Sequence, residues 1–494
     1  MPAASTYFVK VRGKPESKTS RDCTTPMNTS ETTLAQDEPT DVQRSQFRSR
    51  DERIAAGKAL RERLLRKAHA DWTPSRDRRD PIDILEESNR GRLTQLTPIR
   101  YGRMLRSPFT FLRGSAGLMA SDLATTPNTG IRVQACGDCH LLNFGLFATP
   151  ERNLIFDIND FDETLPAPWE WDVKRLAVSF VAASLDNQHS KEDARAAAVG
   201  CVRAYRDHLR DDSQKSPLDV WYEHLDAQTL IETAPDAETK KRRADLAAQA
   251  QRRIGEYLFP KISAPVGGQQ RLVDQPPLLY HMAEKDAEER FREGVAEYRR
   301  SLPDDRRVLF DRYRLCDFAV KVVGIGSVGT RCLVGLFFSA EGHPLLLQFK
   351  EASASVLAPY AGASVYENQG QRIVEGQRLM QASSDIFLGW TRGRLGYHFF
   401  GRQLRDMKLS APIEGAQPKQ LRNYAKLCGL TLARAHAKSG DAALISGYLG
   451  KTDTFDEAIG DFAIAYADQN KRDHAALVAA VKSGRVDAIV EENL

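Results

Sequence analysis

Asp138 and Asn143 stand five positions apart in CGDCHLLN, residues 136–143, and their types suit the two ends of one reaction. A carboxylate can accept or orient the proton of an attacking hydroxyl, and a carboxamide oxygen can ligate Mg²⁺. Asp160 follows in FDINDFDE, 156–163, behind an apolar run, where a second Mg²⁺ ligand belongs; Asp157 is the alternative. Far downstream, GIGSVG at 324–329 sets Gly324, Gly326, Ser327 and Gly329 in a spacing that lets backbone approach phosphates closely. Lys350 ends the apolar run LLLQFK, 26 residues after Gly324, and Glu375 in RIVEGQR is its expected ion-pair partner, with Glu367 as the alternative. This set predicts ATP and Mg²⁺ as cofactors and phosphoryl transfer to a hydroxyl as the reaction. Asp138 and Lys350 would act in catalysis, Asn143 and either Asp160 or Asp157 would hold the metal, and the glycine loop, Lys350 and Glu375 would hold the nucleotide.

The elements around these residues decide between readings of the glycines. A dinucleotide site needs a helix directly after them, so that the helix N-terminus meets the pyrophosphate. Here TRCLVGLFF, 330–338, reads as a strand, which makes the glycines the tip of a hairpin over ATP phosphates. Extended runs at 318–323, 330–338 and 345–350 precede a helix at 368–382 and two further strands at 386–391 and 397–403. Upstream, a helix is predicted at 111–123, a strand at 131–135, a hairpin from 144–148 and 154–158, and helices at 169–185 and 194–209. A charged helix is predicted at 237–257, a Pro/Gly break at 260–277, and helices from 417 to the end.

CGDCHLLN, followed by NDFD (159–162) and WEWDVKRLA (169–177), resembles the aminoglycoside/choline-kinase branch of the kinase-like superfamily. That branch carries an HGDxHxxN loop, an IDF-type aspartate and a DLA-type aspartate opening a helix. The resemblance implies Asp138 as the catalytic aspartate, Asn143 and Asp160 as metal ligands and Asp172 as the structural helix aspartate. The twelve-residue step from Asp160 to Asp172 suits the branch better than a step from Asp157. Residues 100–441 also resemble an uncharacterised bacterial family, a domain of unknown function. The shared blocks are SPFxFxRG (107–114 here), CGDxHxxNFG, FDxNDFDE, VGxGSVGTR, QxKEA and LARAHARSGD.

The implied fold is α+β: a two-lobed, protein-kinase-like fold, circularly permuted, with the catalytic motifs ahead of the ATP-binding strands. The expected division is a disordered tail and basic helix (1–80), a helical catalytic lobe (81–310), a β-rich nucleotide lobe of five strands and a helix (311–405), and C-terminal helices completing the helical lobe (406–494). One departure stands out. Cys136 occupies the place of the first histidine of the HGD motif, which buttresses the loop, while His140 keeps the second.

Composition narrows the partners. With 41% hydrophobic and 28% charged residues and a net charge of +4, nothing calls for a strongly acidic or basic partner. The basic segment 41–80 reads as an amphipathic helix packed on the body, with nucleic-acid or membrane-surface binding as the rival. No apolar leader is visible at 1–14 and no run is long enough to span a bilayer, so a cytoplasmic enzyme without membrane or nucleic-acid contacts is expected. Seven cysteines, an odd number, argue against a disulfide framework. CGDCH also fits c-type haem attachment or a redox pair; both are read as incidental to the catalytic loop. The acceptor, small molecule or protein, is unidentified. Two rival functions remain: transfer of AMP on the same fold, and a non-catalytic nucleotide-binding regulatory module.

Overall fold

The computed structural model describes residues 47–491 apart from Val323 and Arg405, and these form a mixed α+β arrangement with antiparallel sheets. The disordered tail expected at 1–45 lies outside the described residues. The basic segment contains the helix Arg50–Arg63, started by a Ser49–Glu52 capping box. It packs against the helix Ala442–Leu449 at glycines: a Cβ on Gly57 would lie 1.9 Å from the Leu444 carbonyl oxygen, and one on Gly447 2.2 Å from that of Ile54. Arg61 donates to the Tyr448 carbonyl and Arg66 to that of Leu449, which places two cations at this helix's negative end. At least these basic side chains are therefore committed to the body.

Short strands carry the first motifs. Strand β1 (Arg132–Ala135), β2 (Phe144–Ala148), β3 (Leu154–Ile158) and β4 (Leu165–Pro168) pair antiparallel, β1 with β4 and β2 with β3. The register sets Phe144 opposite Ile158, and the Asn159 amide donates to the Asn143 carbonyl at 2.7 Å. The loop with Asp138 and the loop with Asp160 thus leave the same end of one hairpin. The helix predicted at 111–123 breaks at Ser115 into Pro108–Gly114 and Ala116–Leu123, with buried Arg100 taking the Gly114 carbonyl at 2.7 Å. The helices Trp169–Asp186, Lys191–Asp212, Pro418–Ser439 and Thr454–Lys482 pack around these strands. The helix predicted at 237–257 ends at Gln251. The Pro/Gly stretch holds a hairpin of β5 (Ser263–Val266) and β6 (Gln269–Leu272), turned by Gly267 and Gly268 at positive φ.

The larger sheet has six strands: β7 (Leu279–Tyr280), β8 (Tyr313–Lys321), β9 (Cys332–Ser339), β10 (Pro344–Ala352), β11 (Gly389–Arg392) and β12 (His398–Gln403), in the order β11-β12-β10-β9-β8-β7. The three runs expected to be consecutive antiparallel neighbours are so, as β8, β9 and β10. The sheet also recruits residues upstream of 311. Strand β7 adds an edge, and the helix Ala287–Ser301 covers one face because Phe291, Val295 and Tyr298 recur at helical spacing against Phe318, Phe337 and Phe349. The helix Gln369–Met380 lies between β10 and β11, and β13 (Leu409–Ser410) returns to pair with β2. Among the described residues no helix is long and apolar enough to cross a membrane.

Candidate functional site

Asp138 sits in a loop whose backbone is held by another aspartate. Both carboxylate oxygens of Asp172, in the first turn of the helix Trp169–Asp186, accept amide hydrogens, from Cys136 at 2.7 Å and from Gly137 at 3.0 Å. Gly137 has φ +84°, and a Cβ there would meet the Glu163 carbonyl oxygen at 2.4 Å, so the turn requires glycine. His436, from LARAHA, lies 3.3 Å from Asp172 and 2.9 Å from the Tyr205 hydroxyl. The buttress absent at Cys136 is therefore supplied through Asp172 from a helix 264 residues distant in sequence. One turn beyond Asp172, the buried Arg175 donates to the Asp138 carboxylate through Nε at 2.8 Å and also through Nη2. His140 lies 4.0 Å from the same carboxylate, and burial holds its imidazole down to about 4, neutral at pH 7.

Asn143 donates its side-chain nitrogen to the Asp138 carbonyl. Its amide oxygen is thus the atom left for a cation. Asp160 and Asp162 stand on the neighbouring loop, each with a buried Oδ1 that has no hydrogen-bond partner in the protein. Orphaned carboxylate oxygens beside a free carboxamide oxygen are a donor set of the hard, all-oxygen kind that Mg²⁺ takes. Burial raises the Asp160 carboxyl, but Lys350, Arg402 and Lys408 together more than reverse this and hold it well below the ordinary carboxylate range. Asp162 goes the other way, raised by burial and by the charge of Asp160. Asp157, the alternative metal ligand, is instead locked in a fully buried pair with Arg434 at 2.6 Å and faces away from this set, accepting the Ala382 amide.

Lys350 pairs across the sheet with Cys332 and Phe400 and reaches Asp162 at 2.5 Å and Asp160 at 3.8 Å. Burial works against its charge, yet the two carboxylates outweigh it and its pKa rises. The glycine loop hangs between β8 and β9, with Gly324 and Gly329 at positive φ. Arg92 donates to the Gly326 and Val328 carbonyls at 2.7 and 2.6 Å, and the Ser327 hydroxyl reaches Asp162 at 3.3 Å. One cleft is lined by Asp138, His140, Asn143, Asp160, Asp162 and the loop residues Gly324, Gly326 and Ser327. Gly329 lies behind it, against Arg92 and Leu93.

Glu375 is not part of this arrangement. Its carboxylate meets Arg378 one turn on, at 3.3 Å, and Glu367 is exposed beside Arg392. The face of the helix Gln369–Met380 that turns to the cleft carries Arg372, which donates to the carbonyls of Thr164, Asp162 and Ser353 at 2.6–2.9 Å. Gly376 lets the helix approach Thr164 so closely that a Cβ would fall 2.5 Å from it. The partner of Lys350 is Asp162, a residue sequence reasoning passed over. Arg175 was also missed, although it lies three residues after Asp172 on the same helix face, a spacing that could have marked it. Cys136 and Cys139 are buried free thiols; burial pushes both well up, Cys139 to about 12, so neither is poised as a thiolate.

The whole constellation falls within residues 92–480, which match the family described as an uncharacterized protein conserved in bacteria (DUF2252); the chain belongs to that family. No curated protein and no solved structure matches the chain.

Proposed function

We propose that this protein is an ATP- and Mg²⁺-dependent phosphotransferase acting on a hydroxyl-type acceptor. Its fold would be kinase-like and two-lobed, with the catalytic motifs ahead of the nucleotide-binding strands, working in the cytoplasm on a small-molecule or protein substrate. One observation carries the reading: Asp138, Asn143, Asp160 and loop residues Gly324, Gly326 and Ser327 line a single cleft although the motifs lie far apart in the chain, with the buried Lys350 aimed at its carboxylates. Asp138, held open by Arg175, would orient the acceptor hydroxyl and take its proton. Asn143 and Asp160, joined by Asp162, would hold Mg²⁺, which supplies charge neutralisation to the phosphates when bound. The glycine loop, pinned from outside by Arg92, and Lys350 would position the phosphates. Glu375 has no role in this reading.

The test is turnover of Mg-ATP with a metabolite extract as acceptor pool, comparing the wild type with Asp138→Ala. Formation of ADP that falls about 10²- to 10⁴-fold in the variant supports phosphoryl transfer. Release of pyrophosphate instead would assign AMP transfer. Equal turnover by both proteins would remove the enzyme reading and leave nucleotide binding without chemistry.

A further inference from the structure

The block SPFTFLRG, 107–114, forms the short helix Pro108–Gly114, opened by a Ser107–Thr110 capping box and carrying Arg113 in its last turn. The Leu112 carbonyl accepts from Arg175 Nη2 at 3.0 Å, and the same guanidinium holds Asp138. One side chain therefore ties the end of this helix to the catalytic carboxylate, and Arg113 and Asp138 line the same cleft.

Three arginines line this cleft, and two of them are held by side-chain hydrogen bonds to the protein. Arg92 donates to the carbonyls of Ser88, Gly326 and Val328. Arg100 donates to Ser88, Asn89 and the Gly114 carbonyl. Arg113 differs. Its side chain donates no hydrogen bond to any protein acceptor among the described residues, its Nε, like that of Arg100, is buried without a partner, and the Phe109 ring backs it at 5.9 Å. Nearby, the buried Nδ1 of His140 is likewise unpartnered. A part-buried guanidinium with unused donors is costly until an acceptor arrives, and its planar fork matches carboxylate and phosphate oxygens. The carboxylates Asp160, Asp162 and Glu163 line the same cleft, and Mg²⁺ and Lys350 would balance their charge.

We propose that Arg113 binds an anionic group, phosphate or carboxylate, carried by the acceptor next to the hydroxyl presented to Asp138. This rests on the phosphotransferase reading and narrows it: neutral polyols are excluded as substrates, and hydroxylated phosphates or carboxylates are selected. The terminal phosphate of the nucleotide is the other source of the same chemistry, since the loop tip at Gly326 approaches the Arg113 backbone. The cation for that phosphate is already at hand in Lys350, whereas Arg113 is tied to Asp138, the residue that meets the acceptor.

A bacterial metabolite extract is separated by anion exchange into retained and flow-through fractions, and each is offered to the wild type, Arg113→Gln and Arg113→Lys with γ-labelled Mg-ATP. Calorimetry on the same preparations measures Mg-ATP and Mg-ADP binding, and thermal melts check folding. We expect label transfer into the retained fraction, with KM for the retained acceptor raised about tenfold or more in Arg113→Gln, partial rescue in Arg113→Lys, and nucleotide affinity unchanged. Transfer into the flow-through alone, or an unchanged KM in Arg113→Gln, overturns the proposal while leaving the phosphotransferase reading standing. A loss of Mg-ATP affinity without loss of Mg-ADP affinity assigns Arg113 to the nucleotide and also overturns it. Transfer into no fraction sinks the phosphotransferase reading itself, and the Arg113 assignment with it.

Discussion

Replacing Lys350 by Met would leave Asp160 and Asp162 facing one another without their cation, since Lys350 now reaches them at 3.8 and 2.5 Å. Removing one partner of a buried ion pair costs about 3–5 kcal/mol. Here the lysine is 4% exposed but the carboxylates are 36% and 27% exposed, so solvent screening brings the figure to about 2 kcal/mol. A Mg²⁺ ion held by these carboxylates would replace the missing charge. A ligand at a hundred times its Kd stabilises the folded state by about 2.7 kcal/mol, enough to restore the loss. Urea unfolding in EDTA and in Mg²⁺ reads both effects. Lys350→Met should be about 2 kcal/mol less stable than the wild type in EDTA, and should recover most of that in Mg²⁺. The wild type should gain less, because Lys350 competes for the same oxygens. Adding Asp160→Asn to Lys350→Met should abolish the rescue. Equal Mg²⁺ stabilisation of wild type, Lys350→Met and the double variant would refute the assignment of these carboxylates to the metal.

Three further outcomes follow from the same geometry. Asp160→Asn should lower Mg-ATP affinity and turnover together, whereas Asp138→Asn should leave calorimetric Mg-ATP affinity within about twofold while turnover collapses. Glu163, raised to about 7 by burial, stays protonated in the folded state over a range where the unfolded chain ionises. The contribution of Glu163 to stability should therefore fall as pH rises from about 4.5 to 7 and then level off; the difference between Glu163→Gln and the wild type should open over that range to at most about 3 kcal/mol at pH 8, measured by urea unfolding against pH. Asp157→Ala should destabilise by about 3–5 kcal/mol through the stranded Arg434, visible as a lower melting temperature in the absence of any ligand.

The parts of the cleft legible in the sequence are those fixed by local spacing. Asp138 and Asn143 share one loop, the glycines lie at one hairpin tip, and Lys350 ends a strand whose neighbours follow directly in the chain. The resemblance to an uncharacterised bacterial family, read from the shared blocks, agrees with the family match. What stayed hidden depends on how distant helices rotate about their own axes. The spacing of RIVEGQR allowed either Glu375 or Arg372 to face the strand, and only packing at Gly376 turns Arg372 inward. The pairs Arg434–Asp157 and His436–Asp172 span 277 and 264 residues, so no local pattern announces them. The break at Ser115 was missed because both halves of 111–123 are apolar and helical in preference, while the kink is imposed by Arg100 taking the Gly114 carbonyl.

On the proposed reading, the displacement of Glu375 by Arg372 changes how the nucleotide and the metal would be coupled. In an arrangement where a helix glutamate holds the lysine, the lysine is oriented from outside the cleft and the metal ligands are independent of it. Here the lysine is held by Asp162, from inside, while Arg372 fixes the backbone of that loop through the Asp162 and Thr164 carbonyls. The loop can therefore stay in place when the side-chain contact is given up. Asp162 turns its oxygen to a cation at little cost only if Lys350 has phosphate oxygens to turn to, and Lys350 leaves Asp162 at little cost only if a cation takes its place. Each exchange alone strands a buried charge. Metal and nucleotide should then enter this cleft together, each weak without the other, with the Lys350–Asp162 pair keeping the site closed between turnovers.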